Sequence, residues 1–508
     1  MRRSPTPGET HESWLLAQGD GSPSRGASTS GERIPFAPHS DLVRALVCDS
    51  VGCGVDGLIR CGAKAGVRGL DDPGRVLAAA FAVAVVVGTL LLSLPVASAS
   101  GERAGWVTAL FTATSAVCVT GLITVDTATY WSGFGEVVIL MLIQAGGLGI
   151  MTLATLVVIL LSRRIGLRAR SVVQAETKSL SASDIRRVVR GVVVFSFSIE
   201  LVVAVALTAR LAVAYDQPFR SALYSGVFHA VSAFNNAGFS LYPDSLVRFV
   251  GDPWVCLTVA VAVIIGGLGF PVWFELARSW RRPGQWSVLT RITVITTAVL
   301  LTVGTVAMLA AESSNPDTLG GLPGEDHFLA AFFAAVMPRT AGFNSIDIAA
   351  LRPETLFVTD ILMFIGGGSA GTAGGVKVTT FGLLAYVIWS EARGEPDVKV
   401  GRRRVPTSNQ RQALAVALLS VAIVVISTLL LMALTTADLD AVLFETISAF
   451  ATVGLSTGIT ATLPFPAQLV LVGLMFIGRI GPLTVASAMA VRERPRLHQF
   501  PEERTIVG

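Results

Sequence analysis

Residues 228–239 read "FHAVSAFNNAGF". A mostly apolar run, 221–234, leads into Asn235 and Asn236, then Gly238, and a short hydrophilic stretch follows. The run is too short to cross a bilayer, which takes about 20 residues of helix. A segment of that length is a buried helix or a re-entrant dip into the membrane. Three other stretches decide between the two: "FTATSAVCVTGL" (111–122), "FFAAVMPRTAGF" (332–343) and "FETISAFATVGL" (444–455). In all four a Phe stands ten positions before a Gly, and Leu or Phe follows that Gly. The glycines Gly121, Gly238, Gly342 and Gly454 are separated by 117, 104 and 112 residues. An internal repeat of this length sets the architecture before any other reading.

A longer apolar helix precedes each short segment and another begins soon after its glycine. The second helices carry "QAGGLG" (144–149), "IIGGLG" (264–269), "FIGGGSAG" (364–371) and "FIGRIG" (476–481). The expected fold is therefore an all-α membrane protein with four pseudo-symmetric helix–pore-loop–helix repeats around one central pore. The repeats fall at 75–162, 163–280, 281–391 and 392–490, flanked by an N-terminal extension, 1–74, and a tail, 491–508.

Composition agrees. The chain has 508 residues, is 52% hydrophobic and only 15% charged, with mean hydropathy +0.65. Uncharged windows at 76–98, 254–274, 292–311 and 413–434 are each long enough for a span. Segment 162–190 holds eight basic residues, 278–291 four arginines without an acid, and 391–411 six bases; 312–327 holds four acids and no base. Cytoplasmic loops concentrate Lys and Arg. The half-helices thus enter from outside, eight helices span, and both termini are expected inside, at the cytoplasmic membrane of a bacterium. Topology accounts for the basic runs without nucleic acid. The first 74 residues lack the apolar core of a signal peptide and read as a cytoplasmic extension. Cys48, Cys53, Cys61, Cys118 and Cys256 form no zinc pattern. The five histidines, scattered at 11, 39, 229, 327 and 498, supply no catalytic constellation, so no enzyme is expected.

Irregular backbone at membrane depth is tolerated only where protein buries it or it lines a watery cavity. Four glycine-ended half-helices around one axis suit a filter in which backbone carbonyls replace the hydration shell of a cation. Side chains before the glycine differ (Val119–Thr120, Asn236–Ala237, Thr340–Ala341, Thr452–Val453) while the glycine recurs, which favours backbone ligands over Asn235 and Asn236. Those amides are expected to brace the loop, as are His229 and Glu445. Glu200 and Arg210, on one helix, are expected to pair or to snorkel.

The four loops resemble the filter loops of the Trk/Ktr/HKT superfamily of potassium transporters, over roughly 75–490, and the Ktr branch most closely because no extra N-terminal helix pair is present. The resemblance implies K⁺ bound at filter backbone carbonyls of Val119, Thr120, Gly121, Asn236, Ala237, Gly238, Thr340, Ala341, Gly342, Thr452, Val453 and Gly454. It implies K⁺ uptake with no covalent cofactor and Na⁺ as an activating or coupling ion. It further implies a homodimer in membrane lipid, seated on a cytosolic ring of nucleotide-binding regulatory subunits. Ser at the first filter position accompanies Na⁺ selectivity in the HKT branch; Gly121 here favours K⁺. A Na⁺-permeable or H⁺-coupled relative is the alternative.

Two departures from fourfold symmetry stand out. "GGGSAGTAGG" (366–375) cannot hold a helix, at up to ~1 kcal/mol lost per Gly, and lacks the Gly-Lys-Ser/Thr of a phosphate loop. By resemblance it is an intramembrane gating loop, with Gly366, Gly367, Gly368, Gly371, Gly374, Gly375 and the following Lys377. The other departure is Arg479, which aligns with Gly147, Gly267 and Gly367. An intramembrane arginine is costly, so Arg479 is expected either in an ion pair or as a positive charge in the conduction path.

Overall fold

The computed structural model describes residues 73–149, 182–401 and 403–481, within a compact unit that begins at Arg68. Most of the N-terminal extension with Cys48, Cys53 and Cys61, most of the basic segment 162–190, and the tail 491–508 lie outside the described residues.

The described chain is almost wholly helical. Repeat one holds α1 (Pro73–Leu92), α2 (Trp106–Val117) and α3 (Gly133–Gly149). Repeat two holds α4 (Ala182–Ala214), α5 (Phe219–Phe234), and α6 (Pro253–Leu268) bent by 97° into α7 (Phe270–Ser279). Repeat three holds α8 (Val288–Glu312), α9 (His327–Val336), and α10 (Pro353–Phe364) followed after a break by α11 (Val378–Ala392). A two-stranded antiparallel hairpin, β1 (Lys399–Val400) and β2 (Arg403–Arg404), leads into repeat four: α12 (Thr407–Leu434), α13 (Leu439–Ala451) and α14 (Phe465–Ile480).

Among the described residues, a helix or broken helix stands at each of the eight places where a span was expected. Among the described residues three are long and apolar enough to cross a membrane alone, and the bent α6–α7 pair makes a fourth. The break between α10 and α11 divides one expected span, and α3 and α14 run up to undescribed residues. The spans expose apolar side chains outward, as Leu418, Ile426 and Leu429 of α12 do, the pattern of a lipid-facing surface.

The short helices α2, α5, α9 and α13 are wrapped by the others. Every residue from Phe111 to Val117 and from Phe444 to Ala451 is buried. Helix starts follow ordinary capping rules. Asp252 caps α6 by accepting from Trp254 N and Val255 N, ahead of Pro253 at the first position. Ser287 caps α8 and is held by Glu275, whose carboxylate accepts from Ser287 and Thr290.

Repeat three breaks register. Phe111, Phe228 and Phe444 are fully buried, whereas Phe332, aligned with them by sequence, is half-buried and Phe333 takes the interior place. The cause is Pro338. It has no N–H with which to continue the helix ladder, and α9 ends at Val336, six residues before its glycine; α2 and α5 end four before theirs.

The "GG" runs of the second helices are close-packing surfaces. A Cβ added to Gly146 would lie 2.0 Å from Val117 O, one on Gly266 1.9 Å from Phe234 O, and one on Gly478 1.7 Å from Phe450 O. In repeats one, two and four the second helix therefore sits directly on the C-terminal end of its own repeat's short helix. Gly266→Ala should cost ~1–3 kcal/mol by overpacking. In detergent it should lower the melting temperature, while Gly473→Ala, with nothing within 4 Å of the added carbon, should leave it unchanged.

Candidate functional site: a four-loop ring and the loop beneath it

After each short helix the chain turns through the same pair of left-handed positions. Val119, Asn236, Thr340 and Thr452 have φ of 56°, 60°, 70° and 51°, and Gly121, Gly238, Gly342 and Gly454 have φ of 90°, 72°, 73° and 95°. The residue between each pair is not left-handed. Three of the four non-glycine positions are β-branched, for which positive φ is a genuine outlier costing about 1–3 kcal/mol.

The four loops close on one another. A Cβ on Gly121 would strike Ala237 O at 2.4 Å, on Gly238 Ala341 O at 2.8 Å, on Gly342 Val453 O at 2.5 Å, and on Gly454 Thr120 O at 2.1 Å. Each glycine thus seats against the carbonyl before the next repeat's glycine, one to two to three to four and back to one. No side chain fits between them. The residue after each glycine (Leu122, Phe239, Phe343, Leu455) is buried behind the ring.

Loops one, two and four share a brace: the backbone N–H of Thr120, Ala237 and Val453 donates to the carbonyl of Ser115, Ser232 and Ser448 at 2.7–2.8 Å. The serine hydroxyls act on the same loops, Ser115 and Ser448 accepting from Gly121 N (3.0 Å) and Gly454 N (3.1 Å), and Ser232 donating to Phe239 O (2.8 Å). In repeat three Val336 holds the serine position, and Gly342 N reaches only Met337 O at 3.4 Å. The serines are visible in sequence as a Ser six residues before three of the four glycines, a spacing that the glycine pattern alone does not single out.

His229 and Glu445, which follow equivalent phenylalanines, hold the chain leaving the ring. His229 contacts Ser225 O (2.7 Å) and the Ser240 hydroxyl (3.1 Å). Buried Glu445 accepts from Thr457 N (3.1 Å), the Thr460 hydroxyl (2.7 Å) and the Ser456 hydroxyl. Asn235 donates to Gln144 Oε1 (2.9 Å), Glu200 Oε1 (3.2 Å) and Val231 O (2.9 Å), and Glu200 also accepts from Gln144. Glu200 therefore belongs to this buried bracing cluster and does not pair with Arg210. Arg210 instead meets Asp252 at 2.9 Å, tying α4 to the start of α6. Helix neighbours on one chain segment proved poor predictors of partners set by packing between segments.

The broken segment 366–375 lies against the ring. Its neck is closed by Gly366 N donating to Val376 O (2.8 Å) and Val378 N to Gly367 O (3.0 Å). Gly368 N and Thr372 N donate to Gly267 O and Gly266 O at the end of α6. A Cβ on Gly374 would meet Thr452 Oγ1 at 1.9 Å, and those on Gly371 and Gly375 would meet Gly267 O and Ala451, so the loop touches repeats two and four. Gly269, at the α6–α7 bend with φ 89°, faces Ser369 O in the same way. The Thr372 hydroxyl and the Asn236 amide are hydrogen-bonded at 3.0 Å. Lys377 Nζ donates to Ala373 O at 2.5 Å.

Arg479 reaches this loop from α14. Its guanidinium donates to Thr372 O and to Gly146 O (3.3 Å), which joins repeat four to repeats three and one. No carboxylate pairs with it among the described residues. Arg339, three residues before Gly342, does not stand out in sequence; it is buried and donates to Gly366 O (3.2 Å) and the Thr297 hydroxyl (3.4 Å).

A fourfold ring of glycine loops at the ends of buried half-helices, with an irregular loop beneath it, defines a membrane protein built around an ion path. The chain matches the family described as "TrkH: Cation transport protein" over residues 75–499, and it belongs to that family of cation transporters. It is 41% identical over 436 residues to the Ktr system potassium uptake protein B of Bacillus subtilis, covering 86% of this chain and 97% of that one. It is 33% identical over 451 residues to the potassium/sodium uptake protein NtpJ of Enterococcus hirae, covering 88% and 99%. The fold matches the crystal structure of the potassium transporter TrkH from Vibrio parahaemolyticus with TM-score 0.64 at 19% identity, covering 83% of this chain and 86% of that one. Membership in a transporter family agrees with the expectation that the chain is not an enzyme.

The serine brace yields a local test. Ser448→Ala leaves the Gly454 amide without its partner, at ~1 kcal/mol for a hydrogen bond. Hydrogen exchange in the peptide around Gly454 should quicken by about fivefold. Val336→Ala, which removes no polar partner, should leave exchange around Gly342 unchanged.

Proposed function

We propose that the chain is the pore-forming subunit of a potassium-uptake system of the Ktr type. The observation that carries this reading is the closed ring of four glycine loops, each seated on a neighbour's carbonyl. Backbone oxygens of 119–121, 236–238, 340–342 and 452–454 coordinate K⁺ in place of its water. The C-terminal ends of α2, α5, α9 and α13 approach the same ring and add their partial negative charge. The buried Thr120, Thr340 and Thr452 hydroxyls, free of hydrogen-bond partners, are further oxygens at the filter. The names of the relatives support potassium as the cargo, and the name of the Enterococcus relative supports Na⁺ as a second permeant or coupling ion.

Below the filter, segment 366–375 obstructs the path and is the gate, with Lys377 at its exit and Arg479 as its anchor. Opening requires the Arg479–Thr372 bond to break. Both termini are cytoplasmic, and the subunit works as a homodimer in the bacterial cytoplasmic membrane on a cytosolic ring of nucleotide-binding regulatory subunits; the name of the Bacillus relative, protein B of a Ktr system, supports an assembly of more than one component.

Expression with a regulatory partner in a K⁺-uptake-deficient bacterium should restore growth at low external K⁺. Gly121→Ser should shift uptake from K⁺ toward Na⁺, since its added atoms collide with the second loop. Failure of the unaltered chain to rescue while present in the membrane would overturn the reading. Arg479→Gln removes a charged anchor worth ~1.5–3 kcal/mol, so maximal K⁺ uptake should rise by about tenfold with membrane abundance unchanged. Unaltered uptake kinetics would remove Arg479 from the gate.

A further inference from the structure

Repeat three is the one that departs most from its siblings, and its departures occur together. It loses the serine that braces the other loops, because Val336 stands at that place. It alone carries an arginine three residues before its glycine, where Cys118, Asn235 and Ala451 stand in the others. It alone, among the described second helices, is interrupted by a ten-residue loop. Arg339 connects these facts. Its backbone precedes the left-handed Thr340 (φ 70°), and its side chain reaches away to Gly366 O, the first residue of the gating segment.

Three features make this link stiff. Gly366 is held at the closed neck of the loop through its own N–H to Val376 O, and a Cβ there would strike Gly374 O at 2.1 Å. The guanidinium is buried, and the cavity it shares with Thr297, Val336, Gly267 and Gly367 is only about 10 Å³, near the lower limit for one water. It has no carboxylate partner among the described residues, and Nη1 has no hydrogen-bond partner at all. A buried cation supported by so few acceptors cannot give up Gly366 O without finding another.

We propose that Arg339 is a positioning residue that joins the third filter strand to the neck of the gating loop, so that filter geometry and gate position change together. Arg479 holds the far side of the loop, at Thr372; Arg339 holds the side attached to the filter. The other three loops take a serine brace from their own short helix, although loops two and four also touch the segment, through Asn236 and Thr452. The third keeps the backbone bonds of Ala341 N and Gly342 N to Met337 O but replaces the serine with a side-chain tie to the gate, and opening therefore loosens that quarter of the filter most.

This rests on the potassium-pore reading, and uptake by the unaltered chain in the same vesicles checks that reading separately. The full chain is reconstituted, and K⁺ and Na⁺ uptake are measured for the unaltered protein, for Arg339→Gln, for a deletion of 369–373, and for the combination. Arg339→Gln should lower the K⁺/Na⁺ uptake ratio by about tenfold and raise maximal flux several-fold. The deletion should lower the ratio comparably, and the combination should add little, because both variants cut one linkage. Ser115→Ala, which acts on loop one, should instead add its full effect to the deletion. Arg339→Lys, keeping one charged donor, should retain most of the ratio and serves the same cycle if the Gln variant does not reach the membrane. Additive effects of the arginine substitution and the deletion, or a ratio left unchanged by Arg339→Gln and Arg339→Lys alike, would overturn the proposal.

Discussion

The contact on which this molecule depends is a glycine Cα pressed against a neighbouring carbonyl, made four times around a circle. It demands left-handed backbone at the glycines, and it propagates strain to Val119, Asn236, Thr340 and Thr452 two residues earlier. Such conformations persist only where the surroundings over-determine them. Here that role falls to the short helices, buried on all sides, and to the second helices, whose glycines sit directly on the carbonyl ends of those helices. The long outer spans are under a looser constraint, since they need only cover the assembly and present apolar side chains to lipid.

Symmetry supplies the ring, and the departures from symmetry meet one another beside it. Repeat two bends its second helix at Gly269 and thereby makes room for the segment from repeat three. Repeat three unwinds the corresponding helix. Repeat four contributes the one arginine that reaches across to repeats three and one. These irregularities lie on the inner side of the ring and touch one another, so they amount to a single device assembled from three quarters of the chain. Buried arginines that donate to carbonyls, with no acid to neutralise them among the described residues, are costly to install. Both Arg339 and Arg479 are placed where irregular backbone offers carbonyls that a helix would have used internally.

Much of the ring was legible in sequence, and the reason is physical: a backbone that must adopt positive φ in close contact has only glycine to use, so the same letter recurs at fixed spacing. The broken segment 366–375 was legible for the converse reason, since six glycines in ten residues cannot remain helical. Side-chain partnerships were less legible. Glu200 and Arg210 share a helix and look complementary, yet Glu200 belongs with Gln144 and Asn235 while Arg210 belongs with Asp252. Nothing in a linear chain tells which neighbouring helix each will face. The bend at Gly269 was hidden because "GGLG" reads alike whether it packs a straight helix or ends one. The shift of register at Phe332 followed from Pro338, which the repeat alignment absorbed without notice.

The closure of the ring also orders its assembly in time. The fourth loop seats on Thr120 of the first, and Arg479 joins a carbonyl 333 residues earlier in the chain. A ribosome adding about 5–20 residues per second needs on the order of 17–67 s to travel that distance. Throughout that interval the first loop has been inserted without the neighbour that completes it. The strained conformation at Val119 is therefore a late acquisition, adopted when the last repeat arrives, and the newborn chain holds no finished ion path that could leak while synthesis is under way.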